Sequence, residues 1–202
     1  MISEIHEYLV LLLAGWCSGI SVYLTVALLG ISQRAGWIQL PGDMQNLSNL
    51  FIIILALAVY AIEFFADKIP YVDSVWDSVH TFIRPAGAAI LGYLAGTQIG
   101  PLAQTSFAIL TGTIALNMHA VKSSARLAIN TSPEPFSNIG ASLAEHSSII
   151  FFFWLFIKHP VLACAAILAI LVASFFFLRM MWRFVKKLFG RGDKQSVKTV
   201  SA

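Results

Sequence analysis

The sequence predicts an all-α membrane protein, a polytopic bundle of about six transmembrane helices. Three observations support this fold class: 58% of the 202 residues are hydrophobic, only 11% are charged, and the mean hydropathy is +0.79. A water-soluble domain carries roughly 25% charged residues, because its surface must be hydrated. The chain therefore has more apolar surface than water would solvate, and lipid is the solvent that accepts it.

The spans themselves can be read from apolar stretches, since about twenty residues are needed to cross a bilayer. The first stretch is interrupted by small and polar residues, Gly15, Ser18, Gly19 and Ser21. This run is expected either to unwind the helix and expose backbone carbonyls or to let neighbouring helices pack closely. The predicted spans are 7–33, 48–66, 82–98, 102–121, 143–158 and 161–182.

The basic residues orient the bundle. Seven of the thirteen lysines and arginines follow residue 178, directly after an apolar stretch, which favours a cytoplasmic anchor to anionic headgroups over nucleic-acid binding. With six spans the N-terminus is also cytoplasmic; with five it would lie outside. We predict one transmembrane domain over residues 1–185 and a disordered basic tail over 186–202, with the N-terminal segment retained rather than cleaved.

The segment between the second and third spans carries four acids and a histidine. Glu63 and Asp67 stand four residues apart, and so do Asp73 and Asp77, with His80 three residues further on. On a helix each pair shares one face. The segment is interpreted either as a solvated interfacial loop or as an inward-facing cavity that binds protons or a cation. The distinction depends on depth, because carboxylates below the headgroups are costly and usually functional.

In the solvated interpretation, the acids pair with Lys68 and Arg84.

A second stretch, around residues 135–145, looks like a degenerate copy of the first. We predict that both Pro-centred motifs form short, interfacial or re-entrant helices, as in transporters built from internal repeats. Aligning Pro70 with Pro135 pairs Asp73 with Asn138, Asp77 with Ser142 and His80 with Glu145.

Several other small or polar residues are assigned to packing. Gly92 and Gly96 give the third span a small-residue face, and Asn117 and His119 are expected to form hydrogen bonds between helices. The two cysteines, Cys17 and Cys164, lie in apolar stretches and are predicted to be buried rather than paired.

Three strings carry a family resemblance: EFFADKIPYVDSVWDSVHTFIRP at 63–85, NTSPEPFSNIGASLAEH at 130–146 and GISVYLT at 19–25. Together they resemble a bacterial family known as domain of unknown function 4126, over about residues 10–185. The resemblance implies a multi-pass protein of the bacterial inner membrane and supplies no activity. The positions that it marks are Asp67, Lys68, Pro70, Asp73, Trp76, Asp77, His80, Pro133, Pro135, Ser137, Asn138 and Glu145.

The leading functional hypothesis is a small inner-membrane transporter or channel with an acidic, proton- or cation-binding site near the cytoplasmic side. Its cargo would be protons, a metal ion or an amine-bearing solute, and its partners would be membrane lipids and a second copy of the chain. No enzyme motif is present, so we predict neither catalysis nor a cofactor. The predicted binding residues are Glu63, Asp67, Asp73, Asp77, His80, Asn138 and Glu145.

Two further function classes stay open. In a protein that binds or moves a lipid or lipid-linked carrier, four bases would meet the phosphate. A membrane assembly or scaffold subunit would instead use the polar motifs to bind a partner. The four candidate phosphate-binding bases are Lys68, Arg84, Lys122 and Arg126.

Overall fold

A computed structural model describes residues 2–130 and 135–189, and within these segments all regular structure is helical. The predicted all-α class is therefore confirmed. A 3₁₀ helix, Gly42–Ser48, precedes the third α-helix. The α-helices of the described segments are α1 (Ile2–Ile20), α2 (Val22–Arg34), α3 (Leu50–Ala66), α4 (Val72–Ala95), α5 (Pro101–Ile129), α6 (Pro135–Lys158) and α7 (Pro160–Phe189).

Two stretches of the described chain, Phe136–Lys158 in α6 and Pro160–Arg183 in α7, are long and apolar enough to cross a bilayer. The 3₁₀ helix and α3 meet at a 75° bend and add a third candidate if they are counted as one broken span. Length and composition thus support two or three spans and do not confirm six. The reason is chemical, because α4 and α5 are long enough but interleave polar residues with their apolar ones.

The polarity of the surface is reversed relative to a water-soluble protein. Large apolar side chains point outward on several helices; Phe82, Leu102 and Phe136 are 79%, 83% and 85% exposed. Charged side chains of α4 and α5, such as Arg84 and Lys122, are buried instead. This arrangement is typical of helices that face lipid and keep their polar groups inside the protein.

The predicted interruption of the first span is confirmed at Ser21. The chain is extended there, with φ −151° and ψ 106°, and the Ser21 hydroxyl accepts a hydrogen bond from the Leu24 amide at 3.2 Å. A serine in this position caps the start of a helix by satisfying one of its unpaired amides. The break therefore ends α1 at Ile20 and begins α2 at Val22.

Small residues set the spacing of the central helices, as predicted. A Cβ atom on Gly19 would lie 2.5 Å from the Ala115 carbonyl oxygen, so α1 approaches the backbone of α5. A Cβ atom on Gly96 would lie 2.5 Å from the Gln104 amide nitrogen, where α4 and α5 approach each other. Glycine at these positions permits backbone contact that any other residue would obstruct.

The two Pro-centred motifs do not form short helices, and that prediction is wrong. The first motif opens α4 and the second opens α6, and each helix runs for 24 residues. Pro85, which we placed near the start of a span, lies inside α4. Hydrogen bonds to α5 lie on both sides of this proline: Arg84 donates to His119 at 2.8 Å, and Thr111 donates to the Ala88 carbonyl at 2.7 Å.

An apolar core lies among α1, α2, α4, α5, α6 and α7. Trp16 of α1 packs against Phe152 of α6 with 4.6 Å between ring centroids, and Cys17 and Cys164 are buried and free, as predicted. α7 extends to Phe189, four residues into the predicted tail. The rest of that tail, 190–202, lies outside the described residues, as does Pro133 of the second motif.

Candidate functional site

A buried ion-pair network lies where α3 ends, where α4 and α6 begin and along the second half of α5. Seven of its eight side chains are at most 4% exposed, and the Glu145 side chain is 17% exposed. The interpretation of this region as a solvated loop is therefore wrong. The network consists of the carboxylates of Glu63, Asp67, Asp73, Asp77 and Glu145 and the bases Arg84, Lys122 and Arg126.

Arg84 joins two of the carboxylates to α5. Its Nη2 donates to Glu63 Oε1 and its Nη1 to Asp77 Oδ1, both at 2.8 Å. Nη1 also lies 2.8 Å from His119 Nδ1. Because a guanidinium has donors and no acceptor, Nδ1 accepts this bond. The His119 hydrogen is consequently on Nε2, which lies 3.0 Å from the Thr81 hydroxyl. The prediction that His119 bonds across helices is confirmed.

Lys122 lies at the centre of the network. Its Nζ donates to Asp67 Oδ2 at 2.5 Å and lies 3.5 Å from Glu145 Oε2 and 3.8 Å from Asp77 Oδ1. It also lies 3.4 Å from the carbonyl oxygen of Ile20, the last residue of α1. The helix break thus presents a carbonyl to a buried ammonium, as the unwound-helix interpretation predicted. Residues of α1, α4 and α6 and the residue that ends α3 therefore converge on this nitrogen.

Arg126 connects the same region to α6. Its Nε and Nη2 contact the two oxygens of Glu145 at 3.2 and 2.7 Å, the forked geometry that makes guanidinium–carboxylate pairs strong. Its Nη1 donates to the carbonyls of Asp67 at 3.0 Å and Asn138 at 3.1 Å. Asp73 Oδ2 lies 3.9 Å from Nη1. One side chain therefore fixes the end of α3 and the starts of α4 and α6.

The start of α2 is tied to the network through Ser21 and Tyr23. The Ser21 hydroxyl donates a short hydrogen bond to Glu63 Oε2. His80 Nδ1 donates to the Trp76 carbonyl at 2.7 Å, so its Nε2, 3.0 Å from the Tyr23 hydroxyl, is the acceptor when the ring is neutral. Within the described chain, His80 borders the network rather than pairing with one of its acids.

The first aligned pair of the two motifs meets through Asn130, at the end of α5. Asn130 Nδ2 donates to Asp73 Oδ1 at 3.0 Å, and Asn138 Nδ2 donates to Asn130 Oδ1 at 3.0 Å. The likeness of the motifs therefore corresponds to a spatial relationship: both helix starts contact the same residue. The spacing of residues within the two motifs does not mark Asn130 as their shared partner.

Charges within the network do not balance. Five carboxylates contribute −5 and three bases contribute +3, which leaves −2 with the histidines neutral. Two carboxylate oxygens, Asp67 Oδ1 and Asp77 Oδ2, are buried without a hydrogen-bond partner in the described chain. A buried excess charge is unfavourable unless a proton or a cation neutralises it. The arrangement can therefore take up positive charge.

Burial and nearby charges shift the pKa values of two residues between α3 and α4, Asp67 and Lys68. Burial by itself would raise the pKa of Asp67, but Lys122, with Arg84 and Arg126 adding to its effect, lowers that pKa below its usual value. Partial burial lowers the pKa of Lys68, and Asp67 opposes this shift. Asp67 is thus held as a carboxylate.

A polar cleft between α4 and α5 reaches the network from the surface. Its volume is about 330 Å³. Asp77 and Arg126 belong both to the cleft wall and to the network, so the cleft borders the buried charges. Its lining consists of Ser74, Asp77, Ser78, Thr81, Ser123, Ser124, Arg126 and Leu127.

Comparison with known proteins identifies the family. Residues 9–180 match the family described as "Domain of unknown function (DUF4126)". The chain belongs to the DUF4126 family. No curated protein and no solved structure matches it. The family that the three sequence strings indicated is thereby confirmed, and since the description of DUF4126 names no activity, the function must be argued from the site.

The DUF4126 chain brings together most of the residues that the sequence singled out. Glu63, Asp67, Asp73, Asp77 and Glu145 all join the network, and Asn138 contacts Arg126 and Asn130. The described residues hold no group of three or more His, Cys, Asp or Glu side chains placed to bind a metal ion.

The bases proposed to meet a lipid phosphate have other partners in the DUF4126 structure. Arg84, Lys122 and Arg126 are buried and each pairs with carboxylates. Lys68 is half-buried; its Nζ donates to the Phe64 carbonyl at 2.9 Å and lies over the Phe64 ring. Its other hydrogen bond goes to Ser142 Oγ at 3.3 Å. These contacts do not favour a phosphate site.

Proposed function

We propose that this protein is a small transporter or channel of the bacterial inner membrane that binds protons or a cation at the ion-pair network. The observation that carries the proposal is the position of Asp77. It is 3% exposed, its Oδ1 pairs with Arg84 at 2.8 Å, and its Oδ2 has no partner in the described chain. The same residue lines the polar cleft. A carboxylate in this position can exchange a proton or cation between the cleft and the interior.

The charge excess supplies the driving force for uptake. Buried ion pairs are favourable only when their hydrogen bonds are satisfied and their charges compensated. The network's own bases compensate three of its five acids, so binding of positive charge relieves the remaining repulsion. Release of that charge restores the repulsion. Transport requires a site that both binds its ion and releases it.

We count α3 to α7 as five spans, whereas α1 and α2 double back at Ser21: α1 runs parallel to α5, since Tyr8 packs against Phe107 and the Ile20 carbonyl reaches Lys122. The lengths of α4 and α5, 24 and 29 residues, would span about 36 and 44 Å at 1.5 Å per residue. Their outward residues are apolar, and their charges lie inside. In this topology the network and the end of α7 are on the cytoplasmic side, following the distribution of lysine and arginine, and α1 begins at the opposite end of the bundle, beside the start of α5.

The test is flux in proteoliposomes. Purified protein is reconstituted with a trapped pH-sensitive dye, and proton movement is followed after a pH gradient is imposed; sodium uptake is measured with a radioactive tracer. Asp77→Asn should abolish the flux. Asp43→Asn, which removes an exposed carboxylate from the 3₁₀ helix, is the matched control and should leave it unchanged.

Flux that is equal in wild-type protein and Asp77→Asn would remove the transport proposal. A well-folded wild-type protein that moves neither protons nor sodium would favour the assembly-subunit class instead. Thermal unfolding of each variant in detergent separates a loss of flux from a loss of fold.

A further inference from the structure

We infer that the cleft between α4 and α5 binds a small primary ammonium ion, and that this ion is the cation which the network takes up. The inference rests on the proposed cation-binding function and names the class of substrate. It depends on the directions of the hydrogen bonds in the cleft wall, which distinguish cations that donate hydrogen bonds from cations that do not.

Three hydroxyl groups of the cleft already use their hydrogens. Ser78 donates to the Ser74 carbonyl at 2.8 Å, Thr81 to the Asp77 carbonyl at 3.1 Å, and Ser123 to the His119 carbonyl at 2.9 Å. Each of these bonds runs back along the hydroxyl's own helix by four residues. A hydroxyl has one hydrogen and two acceptor lone pairs. The three oxygens can therefore only accept hydrogen bonds from a ligand.

The same orientation follows independently for Thr81. Arg84 fixes the hydrogen of neutral His119 on Nε2, and that nitrogen lies 3.0 Å from Thr81 Oγ1. The Thr81 oxygen thus accepts a bond from His119 while it donates to the Asp77 carbonyl. Ser74 Oγ likewise accepts a bond from Asn130 Nδ2 at 2.8 Å. The Thr81 and Ser74 oxygens therefore act as acceptors in this wall of the cleft, because His119 and Asn130 supply the donors.

The charges of the cleft agree with a cationic ligand. Asp77 contributes the buried carboxylate whose Oδ2 is without a partner in the described chain. Arg126, the base in the cleft wall, directs its nitrogens to Glu145, to Asn138 and to the Asp67 carbonyl. Its charge is matched within the network, and each of its three nitrogens donates a hydrogen bond there. An anion would meet the Asp77 carboxylate, whereas an ammonium group finds both acceptors and a carboxylate.

The volume and lining of the cleft favour a small organic cation over a bare proton. A volume of about 330 Å³ lies at the lower end of the range for small-molecule sites. Leu127 gives the lining an apolar patch that suits a short alkyl group. An ion with an N–H₃⁺ head and a short alkyl tail matches the cleft in charge, hydrogen bonding and volume.

The experiment measures equilibrium binding of radiolabelled methylammonium to the full-length protein in detergent. Tetramethylammonium is the comparison ion, since it has the same charge and no hydrogen to donate. Ser78→Ala combined with Ser123→Ala removes two acceptors and leaves Asp77 in place. Ser147→Ala, at an exposed position on α6 outside the cleft, is the control.

Methylammonium should bind, and the double variant should weaken its binding at least about tenfold, since hydrogen bonds to a charged group are the stronger class. Tetramethylammonium should not bind, and Ser147→Ala should bind methylammonium like wild type. Equal binding of the two ions, an unchanged affinity in the double variant, or no binding of methylammonium to the wild type would each overturn the inference.

These results separate the inference from the proposed function. If methylammonium does not bind while Asp77-dependent flux of protons or sodium persists, the substrate class is wrong and the transport proposal stands. If methylammonium binds through the two serines but no Asp77-dependent flux is found, the cleft is a binding site and transport is the part that fails.

Discussion

Lys122 and Asp67 form a buried ion pair between α5 and the end of α3, with 2.5 Å between Nζ and Oδ2. They are 55 residues apart in the sequence. The Lys122 side chain is 2% exposed and the Asp67 side chain is fully buried, so water contributes little to stabilising either charge. The two residues therefore depend on each other.

Removal of Lys122 alone should strongly destabilise the protein. Lys122→Met leaves the Asp67 carboxylate without its nearest base, and breaking a buried pair in this way costs about 3–5 kcal/mol. Lys158→Met, at an exposed position, is the control. Unfolding can be followed in detergent with a thiol-reactive fluorophore, because Cys17 and Cys164 are buried and free. The double variant Asp67→Leu/Lys122→Met should recover part of the loss; equal stability of the two lysine variants would contradict the prediction.

A lysine at position 126, which keeps the positive charge, should not restore the stability that Arg126 provides. Arg126→Lys keeps the positive charge but cannot maintain the forked contact with Glu145 together with two carbonyl contacts. We expect a loss of about 1.5–3 kcal/mol, the contribution of one hydrogen bond to a charged group. Arg34→Lys, at an exposed position, should change the unfolding midpoint little. Similar midpoints for the two variants would show that the network needs a charge at 126 and not the guanidinium geometry.

Close packing of α1 on α5 predicts a large effect from one methyl group. Gly19→Ala places its Cβ 2.5 Å from the Ala115 carbonyl oxygen and must push the two helices apart. Overpacking of this kind costs about 1–3 kcal/mol. Gly140→Ala meets no atom within 4 Å and should be neutral or slightly stabilising. The thermal unfolding midpoints of both variants test this, and a Gly19→Ala protein as stable as Gly140→Ala would disprove the contact.

The break between α1 and α2 should be sensitive to loss of a hydroxyl. Ser21→Ala removes both the cap of α2 and the hydrogen bond to Glu63. The cap contributes about 1 kcal/mol and the bond to a charged group about 1.5–3 kcal/mol. Ser147→Ala, an exposed serine on α6, is the matched variant. Denaturation of the two proteins should differ clearly, and no difference would mean that the break is held by other contacts.

The hydration of the cleft can be tested at two adjacent residues. Ser78 and Val79 are both exposed, but only Ser78 lines the cleft. In a background with Cys17 and Cys164 replaced by alanine, Ser78→Cys should react with a charged thiol reagent about tenfold faster than Val79→Cys, because thiolates form in polar surroundings. Labelling in proteoliposomes measures both rates. Equal rates would show that lipid, and not water, occupies the cleft.

Much of the site was accessible from the sequence because polar residues are conspicuous in an apolar chain. The spacing of Glu63, Asp67, Asp73 and Asp77 already indicated shared helix faces, and all four acids enter the network. The break at Ser21 was likewise predicted from a run of small and polar residues. Both inferences depend on the type and spacing of residues close together in the chain, which can be read from the sequence itself.

The partners of those acids were not predictable in the same way. Lys122 and Arg126 lie on α5, far along the chain, and periodicity gives no information on which helices face each other. The proximity of Asn130 to both motif starts also depends on how α5 ends against α4 and α6. Counting spans by composition is affected in a related way: inward-facing charges in α4 lower its mean hydropathy without altering its apolar outer face.

The order of the acids and bases along the chain has a consequence for biosynthesis. Four carboxylates of the network emerge from the ribosome with α3 and α4, accompanied by Arg84, whereas Lys122 and Arg126 arrive with the end of α5. The early hairpin would enter lipid carrying uncompensated charge, so its stable insertion has to await α5. Truncated nascent chains that stop before Lys122 should remain extractable from membranes, and those that continue past Arg126 should resist extraction.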